Sequence, residues 1–331
     1  MSINKKIIKS EAQAASVANG FGSVYYSGNS SNQTLNTGIQ SGIFWARSTS
    51  TARNYFTYYI SGGNPGRYVV PSSTQIEEAT GSSITYNSTG ISLTSSFGWN
   101  NSGINYLGIT WGMPTSGSTN TNGSITTTTY ANVDAGQSMF TYTGDGASTS
   151  TIGHGLSSAP EFVVIKTQSH TSDWPVYHSG LSSLNRRIRF NSDGAEDTNN
   201  NPWNSSAPTS SIINLGSSGN VNINSRTFWG WAFHSVDGYC KVGTYVGSGS
   251  AQAIQVGFQP NHVWIKSRNG TDNWAIFDSN RANKVNYINA DTGEESFTFS
   301  YHSNGFDVPS TSGMTNGNGQ TYLYVAWKDQ D

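Results

Sequence analysis

The chain has 331 residues and a net charge of −2, with 34 % apolar, 12 % aromatic and only 11 % charged residues. That near-neutral charge leaves no electrostatic footprint for nucleic acid, and the aromatic content is the opposite of the disorder signature. A single cysteine, Cys240, excludes an intrachain disulfide, and no run approaches the roughly 20 apolar residues that a membrane span needs.

Residues 1–20 read as a short N-terminal arm. Lys5, Lys6 and Lys9 are its one basic cluster and read as a solvated tail. Met1 to Ala15 lacks the apolar stretch of a secretion signal. Only Ile3 to Ala18 hints at a helical period.

Residues 21–113 read as the first of three β repeats. This unit carries Tyr26-Ser-Gly-Asn-Ser, Gly38-Ile-Gln and Ile43-Phe-Trp-Ala-Arg47, and Tyr55 follows Arg47 by eight positions. Leu107, Ile109 and Trp111 alternate with other residues at the period of a half-buried strand. Residues 114–137, rich in Ser, Thr, Asn and Gly, predict a linker.

Residues 138–237 form the second repeat, with Tyr142-Thr-Gly-Asp-Gly, then Pro160, Val163-Val-Ile-Lys166 and Trp174. Residues 238–331 form the third, with Tyr245-Val-Gly-Ser-Gly, then Pro260, Val263-Trp-Ile-Lys266 and Trp274. Pro160, Lys166 and Trp174 each stand 100 positions before Pro260, Lys266 and Trp274, a register that marks a repeat. Ile254, Val256 and Phe258 alternate like a strand, as do Phe297, Phe299 and Tyr301. The expected fold is all-β: three tandem antiparallel β-sandwich repeats of jelly-roll or lectin-like type behind a short arm. Propeller blades are the alternative, but three are too few for a ring of the usual size.

The series Tyr245–Gly249, Gly257–Pro260, Val263–Lys266, Trp274–Ser279 and Tyr322–Trp327 resembles a repeat domain of virion and tail-fibre-like structural proteins of bacteriophages, many of them marine. Trp174-Pro-Val-Tyr-His-Ser179 fills the fourth slot in the middle copy, and Phe233–Tyr239 is similar to the family's junction. The first copy departs at Ser41 and Ala46. The resemblance covers about residues 21–331 and implies a virion component with no catalytic residues.

The chemistry-bearing residues agree with a non-enzyme. The six histidines make no close metal-ligating pair, and Gly144-Asp-Gly146 reads as a hairpin turn rather than a phosphate loop. One acidic feature recurs: Asp193, Glu196 and Asp197 match Asp291, Glu294 and Glu295, with Glu77-Glu78 in the first unit. These carboxylates are expected to brace turns; they are also the candidates for a calcium ion. Glycoside hydrolysis is a weaker alternative, because neighbours on a strand point to opposite faces. Trp174 and Trp274 recur in register and predict core positions. Trp99 and Trp203 sit beside Asn-rich loops and are the ligand-binding candidates.

The expected function is a bacteriophage virion structural protein, tail-fibre-like and active in host adhesion. The alternatives are a capsid decoration or head-fibre protein and, more weakly, a polysaccharide-degrading tail spike. The expected partners are other virion proteins, copies of the chain in a homotrimer by analogy, and a host cell-surface glycan. Nucleic acid and membrane insertion are not expected, and localisation is to the virion after assembly in the host cytoplasm.

Overall fold

The computed structural model describes residues 20–52, 55–59, 67–79, 84–95, 98–310 and 312–329. The arm at 1–19, with its three lysines, lies outside them. The fold is all-β, and its named strand pairs are antiparallel. The one helix among the described residues is the four-residue turn Gly313–Asn316, so none is long and apolar enough to cross a membrane.

Each repeat builds a large sheet and a small one. The first orders Phe21–Ser27, Asn105–Gly112, Ser41–Ser48, Phe56–Tyr59, Arg67–Val69 and Glu78–Ala79 side by side. The third repeats that order with Cys240–Val246, Thr321–Trp327, His262–Ser267, Ala275–Asp278, Lys284–Tyr287 and Glu295–Ser296. The second uses Gln137–Thr143, Thr227–Phe233, Phe162–Thr167, Pro175–His178 and Ile188–Arg189. Register is shared as well: Arg47 pairs with Leu107, Lys166 with Trp229 and Lys266 with Leu323.

The alternation along the central strands explains the architecture. In His262–Ser267, Val263 and Ile265 turn outward and join Ile254, Phe306 and Val308 of the small sheet in one cluster. Trp264, on the opposite face, joins a cluster containing Trp45, Trp111, Trp231 and Trp327. Both faces are buried, which is why these strands read as continuous apolar runs. The inner faces of all three units thus merge into one aromatic core. Trp111, Trp231 and Trp264, one from each unit, meet edge-on with centroids 4.5 to 5.7 Å apart. Such contacts set a ring's positive edge against a neighbour's negative face.

The seams between units run in a cycle. Lys166 of the second unit donates to Thr74 O of the first at 2.9 Å. Lys266 of the third donates to Asp193 O of the second, also at 2.9 Å. Arg47 of the first donates to Tyr287 O, Ala290 O and Thr292 O of the third. One head-to-tail contact used three times closes a ring, here within a single chain. The three basic side chains are wholly buried. Burial lowers the Arg47 guanidinium below its ordinary value and brings Lys166 and Lys266 down to about 8.

Two expectations change. Residues 114–137 are not a linker: Ser118–Asn120 and Thr127–Asn132 add two strands to the second unit's large sheet. Threonine is β-branched, and its strand preference outweighs the flexible residues around it. The alternating stretch 296–301 is not one strand; Glu295–Ser296 and Ser300–His302 belong to different sheets, though Phe297, Phe299 and Tyr301 all reach the same core. The three tandem repeats pack together, and each lends one sheet face to the shared core.

Candidate functional surface

The ends of the strands differ in what they carry. The units start at one place. Gln137, fully buried, donates to Gly20 O at 2.6 Å and Gly112 O at 2.8 Å, while its carbonyl accepts from Tyr239 Oη at 2.9 Å. His234 N bonds to Gly136 O, and Lys328 N to Tyr239 O. The beginnings of all three units, the two crossings between them and the last described strand therefore converge on one entry pole.

From that pole Phe21–Ser27, Gln137–Thr143 and Cys240–Val246 each run seven residues, roughly 23 Å, to an apical turn. The three turns are built alike. Tyr26, Tyr142 and Tyr245 donate their hydroxyls to Trp99 O, Val221 O and Thr315 O. The next residue in each case is a buried asparagine. Asn100 Oδ1 accepts from Asn29 N, Asn222 Oδ1 from Asp145 N and Gly146 N, and Asn316 Oδ1 from Ser248 N. Their Nδ2 groups donate to Ser31 O, Ala147 O and Ser250 O. An asparagine amide has donors and an acceptor in fixed geometry, so one side chain can staple a whole turn. Beyond the staple, residues 29–32, 145–149 and 248–251 are exposed, and Asp145 is their one charged group.

The two tryptophans expected to bind ligand belong to this scaffold instead. Trp99 is 4 % exposed and donates its Nε1 to Tyr58 Oη at 2.6 Å. Trp203 is 1 % exposed and packs edge-on against Tyr177. Neither presents a ring face to solvent on which a sugar could stack. Trp174 and Trp274, each 1 % exposed, sit at the seams and donate to Ser73 O and Arg189 O of the preceding unit. Lys166 lies over the Trp174 ring and Arg47 over the Tyr55 ring, which gives the eight-residue spacing its physical meaning.

The recurrent carboxylates flank the seams. Glu196 faces Arg186 and, across the seam, Arg268, and accepts from Ser182 N. Asp197 pairs with Arg187 and Arg189. Glu294 pairs with Arg281 and Lys284, and Glu295 accepts from Tyr287. Asp193 and Asp291 are exposed. In the first unit Glu77 accepts from Tyr59, Arg67 and, across the seam, Gln168. Among the described residues no three His, Cys, Asp or Glu side chains converge as a metal site would require.

The buried histidines are likewise structural. His262 Nδ1 lies 3.1 Å from Asp278, while its Nε2 accepts from Trp264 Nε1. Both nitrogens are occupied and the pair is sealed from solvent, so it cannot act as a general base. His154 and His178 each accept a backbone N–H at Nδ1 and face a carbonyl at Nε2, Thr209 O and Tyr324 O. Burial holds both at a pKa of about 4.

The motif reading marked Arg47, Lys166 and Lys266 as repeat positions without giving them a role, and it gave the three stapling asparagines none. A cation at one repeat position inside an apolar strand was the available signal for the bases. The asparagines had none, because their loops differ in length and sequence. A model of a domain of unknown function, DUF7483, matches residues 17–331. No curated protein and no solved structure matches the chain.

Proposed function

The chain thus belongs to the DUF7483 family, and from that premise, which brings no assigned activity, we propose that it is a non-enzymatic structural protein of a bacteriophage particle, tail-fibre-like and engaged in host-surface adhesion. The observation that carries this reading is the polarity of the molecule. Both crossings between units gather at one pole, and three stapled, nearly uncharged turns stand a strand's length away. Attachment at the first end leaves the second free for display. A rigid sheet framework with exposed polar loops suits recognition, and several equivalent loops on one body add avidity to weak contacts. The resemblance of the ordered motif series to repeat domains of phage virion proteins supports the particle assignment.

The test is antibody labelling of intact particles under the electron microscope, together with binding of the purified chain to host cells. Label at the tail with saturable binding is the expected result. Label spread over the capsid without cell binding would replace adhesion with decoration, and absence from purified particles would defeat the virion assignment. Release of reducing ends from host polysaccharide would overturn the non-enzymatic reading.

A further inference from the structure

The second unit's large sheet is wider than the other two. The hairpin formed by Ser118–Asn120 and Thr127–Asn132 continues it past Gln137–Thr143, the strand whose counterparts end the other sheets. The sheet face that carries Trp229 and Lys166 therefore runs out from the shared core toward solvent. Its residue type changes there. Thr119, Thr128 and Thr141 are cross-strand neighbours in a row that ends inward at the buried Trp229. One step along the same strands stand Thr126, Thr143 and Thr227, the last two again paired. With Gln168 as a wall, these threonines line a concavity of about 340 Å³.

Strand propensity accounts for β-branched residues here, but not for what the hydroxyls do. Thr127 and Thr129, turned to the other face, donate to Gly153 O at 2.9 Å and Ser118 O at 3.3 Å. Among the described residues the six hydroxyls in the concavity have no such protein partner. They stand in two rows with strands roughly 4.8 Å apart. The wall is fixed from across the seam, since Gln168 Nε2 donates to Tyr59 Oη at 2.7 Å and to Glu77 at 3.2 Å. Among the described residues no charged side chain lines the space.

The geometry points to a binding groove for a neutral polysaccharide on the middle unit, formed by Thr119, Thr126, Thr128, Thr141, Thr143 and Thr227. A threonine hydroxyl donates and accepts, and its methyl lies beside it. A row of them matches a sugar chain, which alternates hydroxyls with C–H faces and carries no charge to leave unpaired. The inference deepens the adhesion reading and rests on it for its biological setting. It also puts recognition on the side of the middle unit as well as at the apical turns.

Valine has threonine's shape without the hydroxyl, so substitution separates binding from folding. The full chain is passed over immobilised dextran, mannan, galactan and β-glucan. Saturable binding to at least one is expected, weakened at least tenfold in the triple variant Thr128→Val, Thr141→Val, Thr143→Val with its melting temperature unchanged. Thr34→Val, exposed on the first unit's small sheet, should bind like the parent. Retention of the chain on none of the four, or undiminished binding by the triple variant, overturns the groove. If the triple variant keeps the parent's binding to both polysaccharide and host cells, the groove is wrong and adhesion stands. If the parent binds a polysaccharide through the groove but not cells, adhesion fails and the groove stands.

Discussion

At the scale of single residues, the molecule depends on polar side chains buried for their geometry. Lys266 satisfies carbonyls of Asp193 and Ser267 in a place water does not reach. Lys266→Met keeps the length and removes the desolvation cost of a buried charge, but strands those carbonyls. The orphaned acceptors should dominate, and urea denaturation should show a loss of about 2–3 kcal/mol. An unchanged midpoint would mean that the lysine contributes no net stability. The histidines predict acid sensitivity. An unfolded histidine titrates near 6.5, whereas His154 and His178 stay neutral down to about 4. Between those values the unfolded chain binds protons that the folded chain refuses, so stability falls as pH drops through that window and levels off below it. Each contributes about 1.4 kcal/mol per pH unit within it. Melting temperature recorded from pH 7.5 to 4 should show the slope, and His178→Asn should reduce it.

At the scale of elements, a repeat is a two-layer unit whose second face is unfinished. The third unit buries Ile254, Phe277 and Phe306 between its own sheets, but Trp264, Trp274, Leu323 and Trp327 are covered only with help from the other two. A fragment of residues 238–331 should therefore expose that aromatic face. It is expected to bind a hydrophobic dye, lack sharp near-ultraviolet dichroism and self-associate on size exclusion. A monomeric fragment with dispersed amide resonances would show that the inner face is dispensable. The expected linker is the instructive miss at this scale. Composition reads 114–137 as flexible, but an open sheet edge lies beside it at Gln137–Thr143, and pairing with that edge satisfies backbone groups that a free linker would leave to water.

At the scale of the whole molecule, the shared core and the cyclic seams couple the units. The seam joining first and third units brings Arg47 against residues about 240 positions away, so closing the ring requires the first and third units to be folded together. Calorimetry of the full chain should give one cooperative transition. Trp231, in contact with Trp45, Trp111 and Trp264, touches all three units, and Trp231→Ala should lower that transition as a whole by about 3–5 kcal/mol. Two or three resolved transitions would mean that the units melt independently.

Sequence alone determined the all-β class, the threefold repetition and the core character of Trp174 and Trp274. Alternation, turn residues and the 100-residue register are local or self-similar properties, and a linear chain displays them directly. Tertiary structure alone decided that the units close into a ring, that Trp99 and Trp203 are buried, and that Glu77, Glu196, Asp197, Glu294 and Glu295 meet arginines and tyrosines beside the seams while Asp193 and Asp291 face solvent. It also decided which rows of threonine reach solvent. Those outcomes depend on which unit lies against which face, and strand alternation is the same whether the opposite face meets water or another sheet.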